Sequence, residues 1–317
     1  MPYSVKSIKA FVELITKILT IEEKAAIYKN FKELIGKMKK FSVLMSLYNK
    51  EQPEYLKECL NSVLNQTVKA SQIVIVKDGP LTQELEAMLE SFVSKELDLY
   101  TVVPLARNQG LGLALQEGML HCNYELVARM DTDDIARKDR FELQLAEFEK
   151  DPTLDICSSH VLEFEDSINN IVAQRTVPLT DSEIKKYQKR RDSFNHPAVM
   201  FKKSKVLESG NYQNCPLMED TYLWVNMFLH NAKAKNIDDF LLYFRVGKDM
   251  FQRRGGWKYH KKYKQGRKMI YKTGYISWWD YHYTILVQLF IALMPNKLRG
   301  LVFKKLLHRG KFNAKEI

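Results

Sequence analysis

An α/β fold with a mostly parallel central sheet flanked by helices is predicted for this chain by three observations. From residue 41 onward, short apolar runs alternate with stretches of helical spacing. Polar clusters recur where successive runs end, and no Pro/Gly/Ser-rich linker divides the span. Strands alternating with helices need crossover connections, so their sheet is mainly parallel with helices on both faces. Ligands bind such sheets at the carboxyl ends of the strands.

Ahead of the sheet, residues 1–40 place Val5, Ile8, Phe11, Val12, Ile15, Ile18 and Leu19 at mostly three- and four-residue steps, which predicts a helical extension. FSVLMSLY then reads as a strand and PEYLKECLNSVLNQ as a helix opened by Pro53. QIVIVKD is a strand, LTQELEAMLESFVSK a helix, LDLYTVVPL a strand, GLGLALQEGMLHC a helix and YELVARMD the fourth strand. Beyond residue 150 the pattern loosens. TLDICSSHVLEFED reads as a long strand followed by a loop, NHPAVMFKKS as strand and turn, MEDTYLWVNMFLHN as a helix and KNIDDFLLYFRV as a closing strand. Residues 41–245 are thus expected to form one α/β domain, more regular over 41–135 than over 136–245.

The 317 residues are 45% hydrophobic, enough to bury a substantial core. Four cysteines, at 59, 122, 157 and 215, lack metal or redox spacing and predict reduced thiols. The N-terminal stretch lacks the pattern of a secretion signal, which predicts a cytoplasmic location. The net charge of +11 is unevenly placed. Residues 241–317 hold 18 Lys and Arg against three acids, a net +15, leaving −4 for residues 1–240. The cations of that tail are interleaved with Trp257, Trp278, Trp279, Tyr281, Tyr283 and Phe290 around the run ILVQLFIALM, only ten residues long. A membrane-spanning helix needs about twice that length. The pattern fits amphipathic helices lying on an anionic leaflet, and residues 246–317 are expected to associate with a membrane surface. A nucleic-acid-binding reading of the basic tail leaves the acidic rim unexplained.

Three polar clusters converge on one edge of the expected sheet: Tyr48-Asn49 after the first strand, Asp78 after the second, and Asp131, Asp133 and Asp134 after the fourth. Two carboxylates one residue apart at a strand end can hold a hard divalent cation, which neutralises a diphosphate. Asp131 and Asp133 fit that role, with Tyr48 supplying an aromatic face for a nucleotide base and Asp78 accepting from a ring N–H. RNQGLGLALQEG lacks P-loop and dinucleotide-fold spacing, and is expected to form a helix N-terminus with unpaired N–H groups facing the site and Arg107 nearby. Glu219-Asp220 open a predicted helix. They either complement its dipole or, Asp220 by preference, take a proton from an attacking hydroxyl.

VLMSLYNKEQPEYLKECLNSVLNQT, IVIVKDGPL, LARNQGLGLALQEGM, LVARMDTDDIARKDRFELQ, FNHPAVMFKKS and MEDTYLW, in this order and spacing, resemble a family 2 glycosyltransferase of the GT-A fold, the group that builds bacterial capsules, exopolysaccharides and O-antigens. The resemblance implies that Asp131 and Asp133 are the D-x-D pair, with Asp133 the main ligand of Mg²⁺ or Mn²⁺. It also implies that Tyr48 and Asp78 hold the uracil of a UDP-sugar and that Asp220 is the base. Asn49, Arg107, Asn108, Gly110, Arg129 and Thr132 complete the expected donor-binding set, and Glu219 joins Asp220 as a catalytic residue. Arg129 and Arg140 match arginines common around this motif, either of which can meet the donor. The chain departs from the family's Asp-Asp-Gly-Ser at Lys77-Asp78-Gly79-Pro80. His196 is expected to shape the acceptor side. His260 is expected to be a solvated histidine rather than a late metal ligand. The implied reaction is inverting, metal-dependent transfer of a hexose, galactose or glucose, from a UDP-sugar to a lipid-linked oligosaccharide. The alternative of similar fold, a nucleotidyltransferase, calls for a glycine-rich basic signature that SLYNKEQPEYL lacks.

Overall fold

The structure, a computed structural model, describes residues 40–247 and 255–295. The expected helical extension, residues 1–39, and the end of the expected tail, residues 296–317, lie outside the described residues.

Buried apolar runs become the strands β1 (Phe41–Leu47), β2 (Gln72–Lys77), β3 (Tyr100–Pro104) and β4 (Leu126–Arg129). Between them lie helices α1 (Pro53–Leu64), α2 (Gln83–Val93) and α3 (Leu111–His121). Pro53 sits in the first turn of α1, where its missing N–H costs nothing, and the Thr82 hydroxyl accepts from Leu85 N–H to cap α2. The four strands are parallel in the order β3-β2-β1-β4. Strand order therefore reverses at β1, and a crevice opens beyond the carboxyl ends of β1 and β4, the usual ligand position in open α/β sheets.

The second half departs from the parallel pattern. β5 (Ile135–Ala136), β6 (Ile156–Phe164), β7 (Ile171–Arg175), β8 (Met200–Lys202) and β9 (Ala234–Arg245) extend the sheet in the order β4-β8-β6-β9-β5, with β7 beside β6. The β4/β8, β8/β6, β9/β5 and β6/β7 pairs are antiparallel, while β6/β9 is parallel. Two helices stand where none was expected: α4 (Arg140–Lys150), and α5 (Asp181–Gln188), in place of an expected loop. α4 buries Phe141, Leu145 and Phe148 at helical spacing, whereas α5 is polar and is held at its start by a Thr180/Glu183 capping box. α6 (Lys203–Glu208) and α7 (Glu219–Leu229) complete the domain, followed by α8 (Gly256–Lys272) and α9 (Trp278–Leu293).

Alternation along β1 and β2 divides the core into two layers. Val43, Met45, Ile73 and Ile75 pack with α1, α2 and α4, while Leu44, Val74 and Val76 pack with α3 and α7. A third cluster joins Ile270 of α8 and Ile276 of the turn before α9 to Cys215, Met218 and Val225. The cysteines at 59, 122, 157 and 215 are buried and free.

Candidate active site

The aspartates close β4 in the turn Asp131–Asp134, which β5 follows. One carboxylate oxygen from each of Asp131, Asp133 and Asp134 lies within 4.8 Å of the others. Such crowding raises the pKa of each acid that burial also isolates. Burial first, then Asp131 and Glu51, push Asp133 up to about 7. Asp134, fully buried, is held well above the usual carboxylate range by burial and by its two neighbours. Its Oδ1 accepts from the backbone N–H of Arg245 at 2.8 Å, while Oδ2 meets no hydrogen-bond partner among the described residues. A set of hard oxygen donors around an orphaned carboxylate oxygen fits Mg²⁺ or Mn²⁺.

Two residues absent from the sequence-based set hold this turn. Arg245, at the end of β9, donates from Nε to Asp133 O at 2.8 Å, pairs with Glu58, and lies 3.9 Å over the Tyr55 ring. Glu51, in the loop after β1, accepts the Thr132 hydroxyl at 2.7 Å. Thr132 is thereby committed to the scaffold. The one sequence signal for Arg245 was a lone cation closing an apolar strand.

The structure separates the two arginines. Arg140 is fully buried, donates to Gln144 Oε1, Arg129 O and Met130 Sδ, and has its pKa lowered to about 9 by burial and by Arg129. It supports the backbone from behind. Arg129 pairs with Asp131 through Nη2, but its buried Nε and Nη1 meet no acceptor among the described residues. Two desolvated, unused N–H groups beside an acidic turn are suited to an anionic ligand.

Asp78 is almost wholly buried, and its two carboxylate oxygens accept from Gln109 N–H at 2.6 Å and Gly110 N–H at 3.0 Å. These amides are therefore not unpaired groups facing a ligand, as the sequence suggested, because a nearer carboxylate already satisfies them. The Asn108 amide donates to Asp78 O at 3.2 Å. Gly79 makes this closeness possible: its φ is +88°, and a Cβ there would lie 2.6 Å from Asn108 N. Tyr48, 39% exposed, and Asn49, also exposed, lie at the end of β1, and Arg107 is exposed in the loop before α3.

Glu219 and Asp220 form the first turn of α7, as expected. Burial, Asp192 and Glu219 hold Asp220 well above the usual carboxylate range, while Arg129 and the Thr221 N–H, 2.7 Å from Oδ1, oppose that shift. Glu219 is raised too, chiefly by burial. Arg129 and Asp131 both act on Glu219, so the two acidic groups share one electrostatic site. Asp192, which accepts the Thr221 hydroxyl, was not foreseen. His196 lies 3.9 Å from Asp220. His260 corrects the expectation of a solvated side chain. It is 6% exposed and stacks on Trp257 with ring centroids 5.3 Å apart, because α8 turns that face inward.

The glycosyl transferase family 2 model matches residues 42–209. An uncharacterized glycosyltransferase of Haemophilus influenzae is 41% identical over 85% of this chain and 100% of its own length. A UDP-Gal:alpha-D-GlcNAc-diphosphoundecaprenol beta-1,3-galactosyltransferase of Escherichia coli is 38% identical over 85% of this chain and 97% of its own. The crystal structure of S. aureus TarS 1-349 in complex with UDP-GlcNAc superposes with a TM-score of 0.56 at 16% identity, covering 82% of this chain and 69% of that one, a likeness of fold.

Proposed function

Since this chain belongs to family 2 of the glycosyltransferases, we propose that it transfers galactose from UDP-galactose, with inversion, to a saccharide linked through diphosphate to a membrane lipid. The observation that carries the reading is the pairing of two acidic groups, Asp131–Asp134 and Glu219-Asp220, around one buried arginine with unused donors. The choice of sugar and acceptor is supported by the Escherichia coli relative, similar over nearly its whole length. Membership of the family leaves no room for the nucleotidyltransferase alternative.

In this reading Tyr48 offers its ring to the uracil and Asp78 keeps the 107–110 loop against it. Arg129 turns its free N–H groups to the diphosphate. Asp131 and Asp133 hold Mg²⁺ or Mn²⁺, which when bound supplies positive charge to the leaving UDP. Asp220 accepts the proton of the acceptor hydroxyl as that oxygen attacks the anomeric carbon in a single displacement. A carboxylate whose pKa is raised by burial is a stronger base than one in water.

Among the described residues no helix is long and apolar enough to cross a membrane. A lipid-linked acceptor would put the reaction at the inner face of the cell membrane, and the exposed aromatic side of α9 supports peripheral attachment there.

The test is a panel of UDP-sugars offered with a lipid-diphosphate-linked GlcNAc acceptor and Mn²⁺, with released UDP measured with and without chelator. UDP-galactose is expected to give acceptor-dependent, chelator-sensitive release. Failure of every UDP-sugar refutes the reading. Asp220→Asn is expected to keep UDP affinity and lower turnover by about 10²-fold or more, and Asp133→Ala to abolish both metal dependence and transfer.

A further inference from the structure

Behind Asp220 lies a histidine whose neighbours fix the position of its proton. His196 begins a 3-10 turn, His196–Ala198, that leads into β8, and its side chain is only 9% exposed. Its Nε2 is 3.0 Å from the Tyr212 hydroxyl and its Nδ1 is 3.9 Å from Asp220 Oδ2. The ring packs edge-on against Trp224 at 5.9 Å.

Tyr212 is wholly buried, so its O–H requires an acceptor, and the nitrogen within reach is Nε2. A neutral imidazole that accepts at Nε2 carries its hydrogen on Nδ1. Nδ1 faces a carboxylate, which when ionised can only accept. Both neighbours select the same tautomer. Burial, and secondarily Arg129, hold His196 well below the usual histidine range, so it stays neutral and does not become a second cation.

We propose that His196, oriented by Tyr212, is a positioning residue that directs an N–H at Asp220 Oδ2 and keeps that carboxylate ionised and aimed at the acceptor hydroxyl. The proposal rests on Asp220 being the base. Around Asp220, Glu219 and Asp192 oppose ionisation, while Arg129 and the Thr221 N–H favour it. His196 Nδ1 stands 3.9 Å from Oδ2, the oxygen that the Thr221 N–H does not occupy. The proposed hydrogen bond requires this separation to close when the acceptor binds, as catalytic contacts commonly tighten only in the substrate complex. During transfer the acceptor O–H bond breaks and its proton passes to Asp220. No proton moves through His196.

The test compares two amides. In His196→Asn the side-chain nitrogen occupies the place of Nδ1, and in His196→Gln that of Nε2. His196→Gln is expected to lower kcat about ten- to a hundredfold, the worth of a hydrogen bond to a charged group, with UDP affinity unchanged. Without the donor the Asp220 pKa rises, so the acid limb of kcat/KM moves to higher pH. His196→Asn recovers most of the loss and restores the limb. Equal rates and equal limbs in the two variants overturn the proposal. If neither amide folds, Tyr212→Phe, which keeps the ring packing, carries the test: a smaller fall in kcat with the same upward shift is expected, and an unmoved limb refutes the idea. Asp220→Asn separates the failures. Wild-type turnover in that variant removes the base itself, whereas lost turnover there with indistinguishable His196 variants removes only the role of His196.

Discussion

Asp133 is held in the folded chain against its own preference for water. Burial and the neighbouring carboxylates push its carboxyl up to about 7 from 3.8, so the folded chain holds that proton more tightly than the unfolded chain does. The stability this group contributes is greatest below the unfolded value and declines as pH rises from about 4 to 7. Above that window the charge persists, crowded by Asp131 and Glu51 and eased by a backbone N–H and by Arg129. Asp133→Asn removes the charge at every pH. In metal-free buffer at pH 7.5 its Tm is expected to exceed that of wild type by about 2 °C or more, the gap closing toward pH 4. Saturating Mn²⁺ reverses the order, because only the carboxylate gains from the cation. Thermal scans with and without chelator check this, and a variant less stable than wild type in metal-free buffer at pH 7.5 contradicts it. The carboxylates were legible in the sequence because D-x-D and E-D declare themselves by spacing. Glu51 and Arg245 were not, since their contacts span 81 and 112 residues along the chain.

The two acidic groups are brought together by a close approach of helices. A Cβ at Gly112, in the first turn of α3, would lie 2.9 Å from Glu219 Cβ and 3.0 Å from Gln213 O. The first turn of α7 has no room to retreat without moving Asp220. Gly112→Ala is therefore expected to lower kcat by roughly tenfold or more, since small displacements of a catalytic group are costly, while UDP affinity falls far less. Steady-state kinetics beside UDP titration decides it, and a change confined to donor affinity counts against it. Nothing in GLGLALQEG marked this contact, for a helical glycine reads in sequence only as a weak former. β1–β4 and α1–α3 were legible because buried runs and turn residues punctuate them. The directions of β6, β8 and β9 were not, because a strand's own residues do not encode which neighbour it will pair with. α4 went unforeseen although Phe141, Leu145 and Phe148 share a face, and α5 because its mostly polar residues carry little periodic signal.

At the scale of the whole molecule, the C-terminal helices couple the candidate active site to a surface with unusual chemistry. α8 packs so closely beneath the E-D turn that a Cβ at Gly266 would lie 2.6 Å from Pro216 O. α9 is tied down by the Arg190–Asp280 pair at 2.6 Å, and Arg267 of α8 reaches Lys189 O at 2.8 Å. The outer side of α9 then exposes Trp279, Tyr283, Leu286, Phe290 and Leu293 at alternating four- and three-residue steps, with Trp279 73% and Phe290 67% exposed. Lys258, Lys261, Lys262, Lys264, Lys268 and Lys272 of the adjoining α8 are exposed as well. Exposed cations and aromatic side chains of this kind suit an anionic leaflet, where each cation is worth about 1 kcal/mol and Trp and Tyr favour the headgroup level. Contact there would hold the E-D turn at a fixed height above the lipid, within reach of the proposed lipid-linked acceptor. Replacing Trp279 and Phe290 together with Glu is expected to cut co-sedimentation with phosphatidylglycerol vesicles about tenfold. Transfer to an acceptor embedded in those vesicles should fall in parallel, while transfer to a short-chain, water-soluble acceptor stays near wild type, since neither side chain enters the cleft. Raising ionic strength should weaken vesicle binding of the wild type, because exposed charges are screened. Undiminished sedimentation of the double variant would mean that α9 does not form the contact, and a fall in transfer to both acceptors alike would trace the effect to the fold of the site instead of the surface.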